Sequence, residues 1–277
     1  MPSYRLTVEY DGTKFHGWQV QREGRTVQGV LLAELAEAIG DSELTLRGAG
    51  RTDAGVHALG QVASLSCRRP VDPRAVLRRL EERLPADLAV LDLREAPARF
   101  HARHDAVVRS YRYQIARRRS AFGKRFTWWV REPVDDAARR RAAQAFVGRH
   151  DFRRLSRRDS ADGSTVVVVD EVLVAEVGDL VQLRFVASHF LWGQVRRMTG
   201  ALVAVGAGRA AVADVPRWLD GSLPAPEPAA PASGLFLEGV RYRGEAAAWP
   251  ALGPLGVPAV AGAAPRATRT AVPGRKR

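Results

Sequence analysis

The stretch "GAGRTDAGVH", Gly48–His57, carries one carboxylate, Asp53, in a run punctuated by glycines at 48, 50 and 55. It lacks the GKS/GKT ending of a P-loop and the spacing of a dinucleotide fingerprint, so a phosphate cradle of either kind is a poor match. Two readings of the stretch remain. In one, it is a tight turn in which Asp53 caps backbone amides. In the other, the glycines let the backbone approach a ligand closely while Arg51 holds Asp53 ionised.

Outward from this stretch the pattern is mixed. Tyr4, Leu6, Val8 and Tyr10 alternate with polar residues, which predicts a half-buried strand. Val27, Leu31, Leu35 and Ile39 recur every four residues and predict a helix ending near Gly40. "GQVASLSC" (60–67) reads as a strand, and Asp72-Pro73 supplies a cap and first-turn proline for a helix stopped by Pro85. "LAVLDL" (88–93) is then a strand. The second half repeats the grammar: strand "RSYRYQI" (109–115), a helix from about 135 to 147 stopped by Gly148, strands within 165–174 and 179–187, a helix through 190–206, and a closing strand "LFLEGVRY" (235–242). Strands and helices without strict βαβ alternation favour α+β, with two similar halves, 1–105 and 106–244, and a ligand cleft between them. From 245 to 277 Ala, Pro, Gly and Arg dominate without periodicity, which predicts a disordered basic tail.

The net charge is +13, and 40 of the 43 basic residues are arginine. Excess positive potential attracts polyanions and releases their counterions, and arginine suits phosphate forks. One cysteine, Cys67, excludes an intramolecular disulfide, and "FHARH" (100–104) lacks cysteine or acidic partners at ligand spacing, so no metal is expected. With no signal-like apolar start and no run long enough to span a bilayer, the expectation is a cytoplasmic protein with no membrane contact.

Two more constellations carry chemistry. Between Ala106 and Arg131 eight basic residues, no acid and six aromatics interleave, as suits a nucleic acid whose bases stack while its phosphates pair. On a strand there, Arg109, Tyr111 and Tyr113 share a face and Arg112 points the other way. The bland counterpart is an edge strand with buried tyrosines and a solvated charged face. In "FLWGQVRRMTGAL", Leu191, Val195, Met198 and Leu202 form the core stripe and Arg196 sits on its flank, placed either to reach inward or to snorkel.

"GRTDAGVHA", Gly50–Ala58, resembles the signature of the TruA family of tRNA pseudouridine synthases. "VEYDGTKFHGWQ" (8–19), "FHAR" (100–103), "RSYRY" (109–113), "HDFRRLS" (150–156), "QVRRMTG" (194–200) and "GLFLEGVRY" (234–242) match in order, so the resemblance runs over about 4–243. It implies the pseudouridine synthase fold, two similar α/β halves sharing an extended mixed sheet with a central basic cleft. It also implies isomerisation of uridine in the tRNA anticodon stem-loop at positions 38–40, without cofactor, by a homodimer. In that family's pattern Asp53 is the essential aspartate, Tyr111 packs on the target base, Arg196 pairs with the aspartate and Arg51 helps displace the flipped nucleotide. Lys14, Arg103, Arg109 and Arg112 are the further basic residues expected against RNA. Arg83, where the family usually carries asparagine, and "SHFLWG" (188–193) depart from the pattern. A non-catalytic RNA-binding or chaperone protein, or a synthase for other RNAs, is the competing expectation.

Overall fold

The structure is a computed structural model that describes residues 1–157, 163–246 and 248–256. Its elements in chain order are β1 (Ser3–Tyr10), α1 (Val27–Ile39), β2 (Thr45–Gly48), β3 (His57–Ser66), α2 (Pro73–Arg83), β4 (Leu88–Glu95), β5 (Ala106–Ala116), β6 (Trp128–Trp129), α3 (Asp136–Gln144), β7 (Gly148–Asp151), β8 (Val166–Val177), β9 (Leu180–Ala187), α4 (Gln194–Gly206), α5 (Asp214–Asp220) and β10 (Leu235–Tyr242). Among the described residues ten strands form one sheet, in the order β4-β1-β3-β10-β5-β9-β8-β7, with β2 beside β3 and β6 beside β5. The fold is α+β, the class expected of the pseudouridine synthase fold.

Local chemistry sets most element ends. The Thr26 side chain accepts from the Gly29 amide, and Gly40 ends α1 at φ 72°, a conformation that costs glycine little. Asp72 caps α2, whose first residue is Pro73. Expected and observed boundaries differ in two helices. Beyond Gln144 the backbone tightens to i→i−3 hydrogen bonds at Ala145, Phe146 and Val147, so α3 stops short of Gly148. The α4 helix starts only at Gln194, because Gly193 is left-handed at φ 73°; the chain turns through Trp192 and Gly193, with the Gln194 amide donating to Leu191 O, and residues 190–193 are not helical.

β10 decides how the parts are joined. It pairs parallel with β3 through Phe236 and Leu237, and antiparallel with β5 from Leu235 to Tyr242. Although it lies in the second half by sequence, Leu237, Val240 and Tyr242 pack into the core of the first, with Leu6, Val8, Leu31, Leu35 and Leu65. The other core gathers Tyr113, Ile115, Leu183, Phe185, Met198, Leu202 and Trp218, where α3 and α4 cover the sheet. Tyr111 touches both cores.

The opposite face of β5, β9 and β10 is polar and buried. Glu238 accepts from Ser110 Oγ (2.6 Å), Arg112 Nε (2.6 Å), Arg184 Nε (2.8 Å) and Arg184 Nη2 (2.8 Å). Arg112 is therefore an internal residue, 4% exposed, and cannot meet RNA as expected; the strand's alternation turns it away from the cleft onto a buried carboxylate. A second correction concerns the tail. The segment after β10 packs across this polar face: Gln182 donates to Gly253 O (2.7 Å), Gln114 to Leu255 O (2.9 Å), and the Leu255 amide to Gln114 Oε1 (2.8 Å). Arg184 also donates to Pro250 O. Residues 248–256 are thus built into the fold, because buried arginine and glutamine side chains need acceptors and the backbone carbonyls supply them. The rest of the expected tail, 257–277, lies outside the described residues.

Burial works to raise the Glu238 carboxyl, but hydrogen bonds from Arg184, Arg112 and Ser110 outweigh it and hold the group below the usual glutamate range. Its contribution to stability is therefore complete above about pH 4.5 and lost as pH falls through the folded value. Glu238→Gln, which leaves two buried guanidinium groups without a counter-charge, should cost about 3–5 kcal/mol at pH 7. Urea unfolding of both proteins from pH 7 to 3 checks this, the difference between them shrinking at the acid end.

Candidate active site

The loop between β2 and β3 is fixed from below and open above. Trp18, 1% exposed, lies under Gly48 so closely that a Cβ there would sit 2.5 Å from the indole. The Trp18 amide donates to Thr52 O (3.1 Å), the Gly55 amide to Phe15 O (3.2 Å) and Gln61 Nε2 to Gly50 O (2.9 Å). Tyr10 OH and Thr52 Oγ1 share a buried hydrogen bond of 2.8 Å, and burial pushes the Tyr10 phenol up. Gly55 turns the chain at φ 77°. With Thr52 facing in, Arg51 and Ala54 are left exposed and Asp53 half-buried.

Asp53 does not cap its own loop. Its side chain reaches the other half, where Trp192 Nε1 donates to Oδ1 at 2.8 Å and Arg196 Nη1 lies 3.4 Å from Oδ2. The charge partner is thus Arg196 rather than Arg51. Arg196 is held by its own helix surroundings: Nε donates to Ala230 O (2.7 Å), and the Ala230 amide returns a bond to Arg196 O (3.0 Å). The turn before α4 is closed by Gln194, whose Oε1 accepts from the Leu191 amide (2.9 Å).

These groups open onto a cleft of about 960 Å³, lined by Gly50, Arg51, Asp53, Arg103, Arg109, Tyr111, Arg157, Phe190, Trp192 and Arg196, among others. Tyr111 meets Phe190 edge-on at 5.3 Å, and burial pushes its phenol up to about 12, so it is protonated at neutral pH. Tyr113, two residues along, is fully buried and donates to Pro231 O (2.8 Å). Arg109 reaches the cleft wall, but its guanidinium is occupied by backbone: Nη2 donates to Ala49 O (3.2 Å) and Arg103 O (2.8 Å), Nη1 to Ser188 O (2.5 Å). Arg103 and Arg51 are exposed at the cleft. Lys14 is exposed on a single 3₁₀ turn, Gly12–Lys14, outside the cleft lining.

Asp53, Tyr111 and Arg196 therefore line one cavity although 143 residues separate the first and last. This half-buried carboxylate, with an arginine from the opposite half and a tyrosine in the same cavity, is the arrangement to compare with known proteins. A family model described as tRNA pseudouridine synthase matches residues 6–105 and 142–243. The chain belongs to that family. The tRNA pseudouridine synthase A of Sinorhizobium fredii is 39% identical over 248 residues, covering 87% of this chain and 100% of that one. The same-named protein of Rhodospirillum rubrum is 41% identical over 252 residues, covering 90% of each chain, and that of Afipia carboxidovorans 41% over 246 residues, covering 87% and 100%. A solved dye-decolorizing protein from V. cholerae, at TM-score 0.19 and 12% identity over 76% of this chain and 88% of its own, is too distant to bear on the fold. The enzyme is an isomerase acting on tRNA.

Three cleft residues were not legible beforehand. Trp192, Phe190 and Arg157 come from segments read as helix or left unassigned, and the available signal was Gly193, a helix-breaking residue inside an apolar run. Arg157 stacks its guanidinium 5.4 Å above the Trp192 ring.

Because Arg109 spends its donors on loop carbonyls, Arg109→Gln, which also removes the charge, should lower stability by about 1–3 kcal/mol through carbonyls left unpaired. Thermal melting reads that loss, and the salt slope of tRNA binding should stay as in the wild type; a slope reduced by about one at unchanged stability would instead mark a phosphate contact.

Proposed function

We propose that this synthase isomerises uridines at positions 38–40 of the tRNA anticodon stem-loop, acting on a nucleotide flipped out of its stack into the cleft beside Asp53. The observation that carries the reading is the Asp53 carboxylate, bridged by Arg196 from the opposite half inside a cavity walled by Tyr111 and arginines. Isomerisation breaks the C1′–N1 bond, turns the uracil, and joins C1′ to C5, the C5 proton being lost and N1 taking up a proton in its place. All atoms but these protons stay within one nucleotide, so the chemistry asks for a carboxylate, a flipped base and a cavity that retains the freed uracil. Attack at C1′, addition at C6 and removal of the C2′ proton each use the carboxylate of Asp53, and Arg196 lies beside it.

The other groups take complementary parts. Tyr111, at the seam of the two cores, packs on the target base. Arg51 and Arg103, both exposed, supply positive charge for the phosphates around the flipped nucleotide. A homodimer that grips tRNA with both subunits completes the reading, tested by whether the protein in solution has twice the chain mass. A purely RNA-binding role leaves the Asp53–Arg196 pair without a purpose. Incubation of the purified protein with total tRNA, followed by carbodiimide mapping, distinguishes the outcomes: product at anticodon-arm uridines supports the reading, product elsewhere moves the enzyme to another substrate, and binding without product overturns it.

Asp53→Asn keeps the shape of the side chain and removes its charge. It should abolish isomerisation while tRNA affinity stays within a few-fold; turnover near the wild-type rate would remove Asp53 from the mechanism.

The two tyrosines separate packing from chemistry. Stacking on a base is worth about 1–3 kcal/mol, and a phenyl ring keeps most of it. Tyr111→Phe should bind tRNA normally and lose most of the chemical rate, whereas Tyr111→Ala should lose the flipped state as well. Tyr113→Phe should leave both binding and rate near wild type. Single-turnover kinetics on an anticodon stem-loop, with folding checked by melting, reads all three, and an inactive Tyr113→Phe beside a normal Tyr111→Phe would reverse the assignment.

A further inference from the structure

Asp53 has a second partner that neither the sequence pattern nor the reading above accounts for. Trp192 is 44% exposed, an unusual state for an indole on a turn that is otherwise pinned. Its backbone is fixed: Trp192 O accepts from the Arg157 amide (2.8 Å), and the left-handed Gly193 follows it. Its ring is fixed from one side by the Arg157 guanidinium. Its Nε1–H is directed at Asp53 Oδ1, the oxygen that Arg196 does not face. The carboxylate is thus held by two donors, one on each oxygen, both from the second half of the chain.

Two donors fix an Asp side chain in a way that one cannot. A single contact to Oδ2 leaves the carboxylate free to swing about χ1 and χ2, while a second contact to Oδ1 selects one rotamer and one plane. Each carboxylate oxygen has a second lone pair, so both bonds leave room for a reacting atom. A directed hydrogen bond to a charged group is worth about 1.5–3 kcal/mol, which corresponds to roughly tenfold to a hundredfold in rate if it is made in the productive geometry.

We infer that Trp192 is a positioning residue, which holds the Asp53 carboxylate in its reactive orientation through Nε1–H. The inference rests on the reading of Asp53 as the essential carboxylate. It attaches to the stretch "SHFLWG" (188–193), which leads into the helix that carries Arg196.

The test separates the N–H from the ring. Trp192→Phe keeps an aromatic ring and removes the donor; replacement of Trp192 by 3-benzothienylalanine keeps the bicyclic shape and exchanges N–H for sulfur. Both should fold, since the indole is partly exposed and belongs to neither core. Both should lower the single-turnover rate on an anticodon stem-loop about tenfold to a hundredfold while changing KM and tRNA affinity by less than about threefold. Wild-type rates in the benzothienyl protein would overturn the inference, as would a faster reaction in either variant, which would make the indole a plug that RNA must displace. A loss confined to KM would also overturn it, making Trp192 a contact for RNA. Asp53→Asn run in parallel keeps the two claims apart: an active Asp53→Asn defeats the underlying reading, whereas an inactive Asp53→Asn beside a wild-type benzothienyl protein defeats only the role of Trp192.

Discussion

Strand β10 enters the sheet last and lies near its middle, and the rest of the molecule depends on that insertion. It is parallel to β3 and antiparallel to β5, so it joins the strand that follows the Asp53 loop to the strand that carries Tyr111. Its apolar residues complete the core of the first half. On its polar face Glu238 binds β5 through Arg112 and β9 through Arg184. Burying a carboxylate is costly unless it is paired and fully hydrogen-bonded, and here four donors meet that requirement, which fixes the strand's register as well as its charge balance.

The cleft follows from this seam. With β3 and β5 locked on either side of β10, the loop at the start of β3 and the turn before α4 face each other across a gap spanned by one carboxylate. The loop is rigid because Trp18 fills the space beneath Gly48 and backbone hydrogen bonds fasten Thr52 and Gly55, so Asp53 reaches across without a flexible lever. The opposing donors, Arg196 and Trp192, are rigid for a different reason: each has its backbone or its other nitrogen committed to a neighbour. The carboxylate is therefore held between two surfaces that are already fixed.

Arginine does three separate jobs in one basic chain. Arg112 and Arg184 are internal partners of a carboxylate, Arg109 ties loop carbonyls together, and Arg51 and Arg103 remain exposed at the cleft. Net charge alone therefore overstates the surface offered to RNA. The planar fork of the side chain explains why one residue type serves all three, since it donates in fixed directions to carboxylates, carbonyls and phosphates alike. Among the described residues no helix is long and apolar enough to cross a membrane.

Much was determined by the sequence by itself, wherever the deciding forces act over a few residues. Alternation marked β1 and β5, fourfold spacing marked α1, and Thr26, Gly40, Asp72 and Pro73 marked helix ends, because propensity and capping are local. The motif around Asp53 and its companions marked the family. Only the tertiary structure decided that β10 sits between the halves, that Arg112 is buried on Glu238, that 248–256 cover a polar face, and that Trp192 rather than Arg51 shares Asp53 with Arg196. Each of these is a contact between residues far apart in the chain, and its energy comes from burial and pairing that exist only once both partners have been brought together. A polar side chain's sequence neighbours do not reveal which face of a sheet it will occupy or what will cover that face, so a charge destined for the core and a charge destined for RNA look the same until the strands are assembled.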